Sequence, residues 1–597
     1  MSVAAARPRG VGEGRSFTPH KAVKWGLIGG GVAVYLALVG LIQRFQSREV
    51  IVGVIGMGHT LLVIVALTFG YVAAGHAGSA SSEASDDARA PRSSAAGVAA
   101  GAIAGALAGA LTAALMLLGD VINLRSVFVS VSSGLLDTLA FGQPPGLGAL
   151  LLVAAGAVVG AVGASARRLS PDVRGPLFVG LVTMLLASLF APLLRQILFS
   201  LFIPTSLFYE GDGLTISGAI IIVALTAAVV ALWKRKGEVP RQRLEALPDK
   251  QQKLAKLVGL FLLVALLLYL PQILGIFLSE IVGTIGLYVL LGLGLNIVVG
   301  YAGLLDLGYV AFFAIGAYTT ALLTSPSAAG ALEMSFWAAL PIVVIVSTVA
   351  GILIGAPVLR LRGDYLAIVT LGFGEIMRLL VISNWAAPLT GGAQGILSVP
   401  DPTLGGFAFD DSQTIYYLIL AFSLVAAFIA VRLQTSRVGR AWNAMREDEQ
   451  VAEAMGVSII KYKLLAFAMG AAIGCLGGAF FAVKIGSIFP ASFNLLVSIQ
   501  VLSLIILGGM GNIWGVVVGA AVLVGLPELL REFAEFRLLF YGAILVAIML
   551  VRPAGLLPSA RRRRELDLDQ EEDSQYADRA GDESGAPVLA GGAKEAR

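Results

Sequence analysis

Leu464–Lys484 reads LLAFAMGAAIGCLGGAFFAVK, with no charged side chain before the closing lysine. About 20 apolar residues are what a helix needs to cross a hydrocarbon core roughly 30 Å thick. Glycine and alanine recur through the run, and small residues let membrane helices approach closely. The chain's single cysteine, Cys475, lies inside it and reads as a buried, inert thiol.

The same reading extends to the whole chain. Of 597 residues, 57% are hydrophobic and 13% charged, with mean hydropathy +0.87. Soluble domains carry about 25% charged residues, because water surrounds their whole surface. Half that share cannot cover a globule of this size, so lipid is the solvent. One cysteine excludes an intramolecular disulfide and any multi-cysteine metal site. His20, His59 and His76 are scattered without ligand spacing and read as structural. The net charge of +4 does not imply nucleic acid, since the basic residues flank apolar runs. No metal, cofactor or catalytic group is expected.

The N-terminal part offers apolar runs at Trp25–Gln43, Val50–Gly75, Ala96–Leu118, Gly146–Ala166, Pro176–Leu201 and Leu214–Trp233. About ten more follow by the same length rule: Leu257–Leu274, Leu278–Val299, Leu304–Thr324, Phe336–Leu359, Asp364–Asn384, Ile415–Val431, Leu464–Lys484, Asn494–Gly509, Ile513–Leu530 and Leu538–Val551. The expected organisation is an N-terminal segment (1–24), a helical membrane module (25–233), a basic linker (234–256), a second helical module (257–558) and an acidic, disordered tail (559–597). The fold class is all-α, a polytopic transmembrane bundle. No small-residue cleavage site marks the start as a secretory signal.

Lysine and arginine placement orients the chain. The linker, the 432–463 loop with Arg432, Arg437, Arg440, Arg446, Lys461 and Lys463, and the tail with Arg552 and Arg561–Arg564 are basic. All three are expected in the cytoplasm, and so are both termini. No lysine or arginine occurs between Ile382 and Ala430, which places the loop after Asn384 outside. Arg44 and Arg48 fall outside in this scheme and fit it least.

No G-x-x-x-x-G-K-[ST] occurs, so the chain encodes no phosphate-cradling loop. If ATP drives it, a separate subunit hydrolyses the ATP and needs a handle. Gly439–Lys463 is the one loop long and patterned enough. Trp442, Met445, Ala452 and Met455 recur at helical spacing and would share one face. Gly456 stands where a left-handed residue ends a helix. Such a helix suits a groove on a partner. An interfacial helix lying on lipid is the alternative, which the acidic run Glu447–Glu449 disfavours.

EDEQVAEAMGVSIIKYKLLAF (Glu447–Phe467) resembles the EAA loop of ABC importer permeases, with Glu453, Ala454 and Gly456 at its key positions. GLNIVVGYAGLLDLGYVAFFAIGAYTTALL (Gly294–Leu323), LRLRGDYLAIVTLGFGEIMRLL (Leu359–Leu380), TGGAQGI (Thr390–Ile396), LGGMGNIWG (Leu507–Gly515) and RPAGLLP (Arg552–Pro558) resemble the M-type permeases of branched-chain amino acid importers. The resemblance covers roughly residues 257–558. It implies a bacterial inner-membrane assembly with a sister permease, two ATP-binding subunits and a periplasmic or lipid-anchored binding protein. The ATP would be used by those partners. Permeases of similar sequence also carry urea, short amides and other amino acids. Residues 1 to about 250 lie outside the resemblance.

Candidate coupling residues are Arg440, Trp442, Met445, Glu453, Ala454 and Gly456. Candidate pathway residues are Asn296, Gly300, Gly303, Asp306, Glu375, Gly508, Gly509 and Asn512. In GYAGLLDLGY (Gly300–Tyr309), glycines and an acid interrupt apolar sequence. Two readings fit: a broken helix lining a path, or a tight turn in which Asp306 caps the next helix. Glu375 lies deep in a span, where a carboxylate is functional by default, yet Arg378 one turn on can neutralise it. An ion-coupled secondary transporter, the rival class, would need several deep carboxylates. A non-transporting scaffold would need neither the patterned loop nor the motif series. In the N-terminal module, Gly97, Gly101, Gly105 and Gly109, with Gly156 and Gly160, form small-xxx-small stripes suited to packing inside the subunit or docking to another. Val121–Phe141 is expected as an outer-surface amphipathic segment.

Overall fold

The computed structural model describes residues 19–79, 94–200, 202–211, 213–236, 249–326, 332–358, 361, 363–529, 542–543, 545–546, 550 and 555–558. The chain divides into two compact units, Met1–Val264 and Ala265–Arg597. Eleven helices among the described residues are long and apolar enough to cross a membrane, and Ile216–Leu232, Val310–Thr324 and Ile513–Glu528 are shorter apolar helices. The expected run Leu538–Val551 and the tail 559–597 lie outside the described residues, apart from isolated positions in that run.

In the first unit, helices Pro19–Leu38, Met57–Ser79, Ser94–Val121 and Pro145–Ser165 pack together, and Pro171–Leu189 pairs with Ile216–Lys236. The glycine stripe explains the tightest of these packings. A Cβ at Gly105 would lie 2.0 Å from the Gly156 carbonyl, and one at Gly109 2.3 Å from that of Leu152. The stripe is spent inside the unit. Gly97 takes no part, since its Cβ would meet only Ala74 at 3.9 Å.

Three expected runs are shorter than their apolar stretches. The first helix stops at Leu38, because Gly40 adopts a left-handed conformation (φ 86°) and starts the short helix Leu41–Gln46. Val50 belongs to strand Glu49–Ile51, so the next long helix starts at Met57. The run Pro176–Leu201 breaks after Leu189 into a second helix, Ala191–Ser200. These loops pair in a small sheet, in the order Ile55–Gly56, Glu49–Ile51, Gly213–Leu214, Tyr209–Glu210. Arg48 is used there: its guanidinium donates to the Leu189 carbonyl at 3.2 Å. The segment before Phe141 forms helix Ser133–Leu139, which buries Leu135 and Leu139 and leaves Val127 and Val129 exposed.

The two runs around Gly275 form one kinked element, Asp249–Leu295, which begins before the unit boundary and has Gly275 at φ 72°. Its end passes into a π-helical turn, Asn296–Tyr301. Helix Val310–Thr324 starts six residues later than its apolar run. Helix Ile459–Ile485 runs through the core, buried along much of its length. Its small residues admit neighbouring backbones: a Cβ at Gly478 would lie 2.1 Å from the Phe313 carbonyl, and the Cys475 carbonyl lies 2.2 Å from a Cβ at Gly316. Cys475 is fully buried.

One polar cluster escaped the reading of the spans. Lys484, its side chain 4% exposed, forms an ion pair with Glu280 and donates to the Glu280 carbonyl at 3.2 Å and the Thr284 hydroxyl at 2.8 Å. Ser412 donates to the same carboxylate at 2.8 Å. Glu280 is thus a further carboxylate within the apolar runs, besides Asp306, Glu375 and Glu528, and it is neutralised by its partner.

Candidate functional site

The loop after helix Ser412–Thr435 folds into two short helices, Arg437–Glu447 and Glu449–Ala454, where one was expected. Asp448 causes the break: its backbone is extended (φ −151°, ψ 112°), and its carboxylate accepts from the amides of Gln450 and Val451 at 2.8 and 3.0 Å. Ser436 caps the first helix through the amides of Val438 and Gly439. Gly456 ends the pair in the left-handed conformation, φ 87°.

The expected apolar face splits. Trp442, Met445 and Ala452 are buried in this unit's own core, and the Trp442 indole donates to the Tyr462 carbonyl at 2.8 Å. Met455 does not join them; it is 80% exposed, because the kink at Asp448 turns the second helix. Lys463 is buried and forms an ion pair with Glu449, tying the second helix to the core helix. The loop therefore presents Arg440, Glu453, Ala454 and Met455 outward on a platform held from beneath by Trp442.

Two of the candidate pathway residues, Gly300 and Gly303, meet the loop directly. Arg446, at the end of the first short helix, donates to the Gly300 carbonyl in the π-helical turn at 2.6 Å. Asn296, in the same turn, accepts from the Gly511 amide at 2.9 Å through its side chain. Gln434 donates to the Gly511 carbonyl at 3.2 Å. π-Helical turns concentrate at functional sites because they free backbone groups from the regular ladder. Gly303, at φ 72°, leaves room for Arg446, whose Cγ would stand 2.7 Å from a Cβ there.

The second wall of this knot comes from LGGMGN and RPAGLLP. The amides of Leu556 and Leu557 donate to the carbonyls of Leu507 and Gly508 at 2.7 and 2.8 Å. Asn512 donates to the Leu557 carbonyl at 2.8 Å, and its own oxygen accepts from the Trp514 amide. A Cβ at Gly508 would lie 1.9 Å from the Gly515 carbonyl, and one at Gly509 2.3 Å from that of Leu557. Asn296, Gly300, Gly303, Gly508, Gly509 and Asn512 thus form a packed junction around the short helices. Arg446 and Gln434 belong to it and were not singled out by sequence, where a charged residue in a loop reads as solvated.

Asp306 and Glu375 stand apart. Asp306 is 1% exposed; one carboxylate oxygen accepts from the Gly308 amide at 2.8 Å, and the other is buried without a partner. Tyr309 occupies the N-cap of the next helix without a side-chain bond, so Asp306 stabilises the turn rather than capping that helix. Glu375 and Arg378 pair across one helical turn, with bonds of 3.0 and 3.1 Å from the Arg378 Nε. Their side chains are 43% and 30% exposed, between exposed Ile376 and Leu379.

Residues 277–550 match the family model described as "Branched-chain amino acid transport system / permease component". The high-affinity branched-chain amino acid transport system permease protein LivM of Salmonella typhimurium is 40% identical over 287 residues, covering 44% of this chain and 66% of that protein. Its namesake in Escherichia coli K12 is 41% identical over 278 residues, covering 43% and 64%. The permease protein LivH of Escherichia coli K12 is 28% identical over 148 residues, covering 24% and 47%. The chain spans just under two thirds of the length of the two LivM proteins. No solved structure matches.

Proposed function

We propose, for a chain whose residues 277–550 belong to the permease component family of branched-chain amino acid transport systems, that it is the membrane-spanning subunit of an ATP-driven importer. Its cargo is a branched-chain amino acid, the substrate class in the relatives' names. It works with a sister permease, two ATP-hydrolysing subunits and an external binding protein, in a bacterial plasma membrane with both termini in the cytosol. The subunit itself makes and breaks no covalent bond.

The observation that carries this reading is the bond from Arg446 to the Gly300 carbonyl. An ATPase seated on Glu453, Ala454 and Met455 would push a platform anchored by Trp442. Arg446 would pass that displacement to the π-helical turn Asn296–Tyr301, where the first span of this unit has left α-helical geometry. A packed junction of this kind switches between discrete arrangements rather than deforming continuously. Glu375 and Arg378 fit the same scheme. A half-exposed ion pair among apolar residues is costly against lipid, and it suits a face covered by the sister permease, where the path between the two subunits runs.

Purifying the tagged chain with its candidate partners tests the proposal. Co-purifying ATP-hydrolysing subunits and ATP-dependent leucine uptake support it. Uptake by the lone chain in liposomes would instead identify an ion-coupled transporter. Glu453→Arg with Gly456→Pro should abolish both association and uptake; survival of both activities would remove the coupling role of this loop.

A further inference from the structure

The first unit has a half-open cavity of about 510 Å³ between helices Pro19–Leu38, Met57–Ser79, Ser94–Val121 and Pro145–Ser165. Its volume falls within the range of roughly 300–1,000 Å³ typical of small-molecule sites. The body is apolar, walled by such residues as Leu62 and Leu152, with Gly109 and Gly156 opening the space by admitting close backbones. Its polar groups gather near the loop end of the helices, at Gln46, Glu49 and His59.

These groups share one chemical character. Among the described residues, Glu49 is the one charged side chain in the lining. The carboxylate is exposed and accepts from the Gly53 amide at 3.1 Å. His59 approaches the Thr138 carbonyl through Nε2 at 3.0 Å. A carbonyl only accepts, so Nε2 carries the proton, and in the neutral ring Nδ1 is left as an acceptor. Phe141 stacks on this ring at 4.8 Å and fixes its plane. The Gln46 Oε1 is closed off from the cavity, packed beside Gly56 and Gly58, where a Cβ would come within 3 Å of the amide. Thr112, deeper in, already donates to the Ala108 carbonyl at 2.9 Å and offers only its lone pairs.

We infer that this cavity binds a small amphiphile with a protonated amine head and an aliphatic body, the amine at Glu49 and His59 and the body against Leu62 and Leu152. An acceptor-lined mouth with a single negative charge over an apolar, low-dielectric body favours a cation and disfavours a carboxylate of the same shape. The inference is independent of the transport reading, because every residue it uses precedes the family match.

The test uses the full chain in phosphatidylglycerol nanodiscs, which lack amine headgroups, with radiolabelled isopentylamine as probe. Isopentylamine should bind saturably, with isopentanol and isovalerate competing about tenfold more weakly or less, equivalent to about 1.4 kcal/mol of head-group selectivity. Glu49→Gln, at an exposed position, should weaken the amine several-fold and leave isopentanol unchanged. Leu62→Trp should fill the body and abolish binding; if that variant does not fold, Glu49→Gln decides. Competition by added phosphatidylethanolamine would assign the natural amine to lipid, and no competition would assign it to a soluble molecule. Absence of saturable amine binding, equal competition by isovalerate, or indifference to Glu49→Gln overturns the inference.

Discussion

Arg446→Met isolates the link between the loop and the broken span. Methionine keeps an apolar stem beside Gly303 and deletes the donor to the Gly300 carbonyl. A hydrogen bond from a charged donor contributes about 1.5–3 kcal/mol. Arg446 is largely exposed, so solvent screening brings this toward about 1 kcal/mol. If that energy is the coupling between platform and span, its loss slows the transmitted step about fivefold. The assay is paired measurement of leucine uptake and ATP hydrolysis in proteoliposomes holding the assembled complex. Trp442 and the outward residues are untouched, so the ATPase subunits should still co-purify. Uptake per ATP hydrolysed should fall about fivefold, and Arg446→Lys, with a shorter reach, should fall between. An unchanged ratio in Arg446→Met would refute the link, whatever happened to either rate alone.

Gly105→Val should lower the melting temperature of the membrane-embedded protein, since overpacking costs about 1–3 kcal/mol and the new Cβ meets the Gly156 carbonyl at 2.0 Å. Gly97→Val, with only Ala74 nearby, should be tolerated in the same melt. Lys484→Met strands the Glu280 carboxylate; because that side chain is 45% exposed, the loss should be about 2 kcal/mol rather than the ~3–5 kcal/mol of a fully buried pair. Adding Glu280→Gln should recover most of it, and failure to recover in a denaturation cycle would mean the pair is not what stabilises this end. Burial, and then the neighbouring Asp410, raise the Asp401 carboxyl above its ordinary range. A raised acid favours the folded loop at low pH and loses that contribution as pH rises through the folded value. Hydrogen exchange at Thr403–Ala408, corrected for intrinsic rates, should therefore be faster at neutral pH than at about pH 4, and Asp401→Asn should flatten the difference.

Much of this molecule could be read from apolar length alone. Ile459–Ile485 and Phe336–Val358 fall close to their expected bounds, because one solvent governs each residue of such a run. The failures sit where local geometry competes with hydropathy. Gly40 sits in an apolar run yet turns the chain, and a hydropathy window cannot separate a turning glycine from a packing one; at Gly300–Tyr309 the interruption by Asp306 let a turn be read, although the run itself starts six residues too early. The platform was legible as an element, since Trp442 and Met445 carry the helical period, but its kink came from Asp448, whose cap needs the actual backbone. Arg446 and Lys484 were opaque for another reason. Their partners lie 146 and 204 residues away, and nothing in a one-dimensional pattern pairs a loop guanidinium with a distant carbonyl.

The pairing of Leu556 and Leu557 with Leu507 and Gly508 also sets an order of events during biogenesis. The wall of the junction beside Asn512 is finished by residues translated more than forty positions later. While the nascent chain is still being threaded into the bilayer, the two short helices after Ser436 stand on an unfinished junction. On the function proposed above, a chain that ends before Gly555 lacks the two amides that close this junction, and an ATPase seated on its loop would act on an unbraced one.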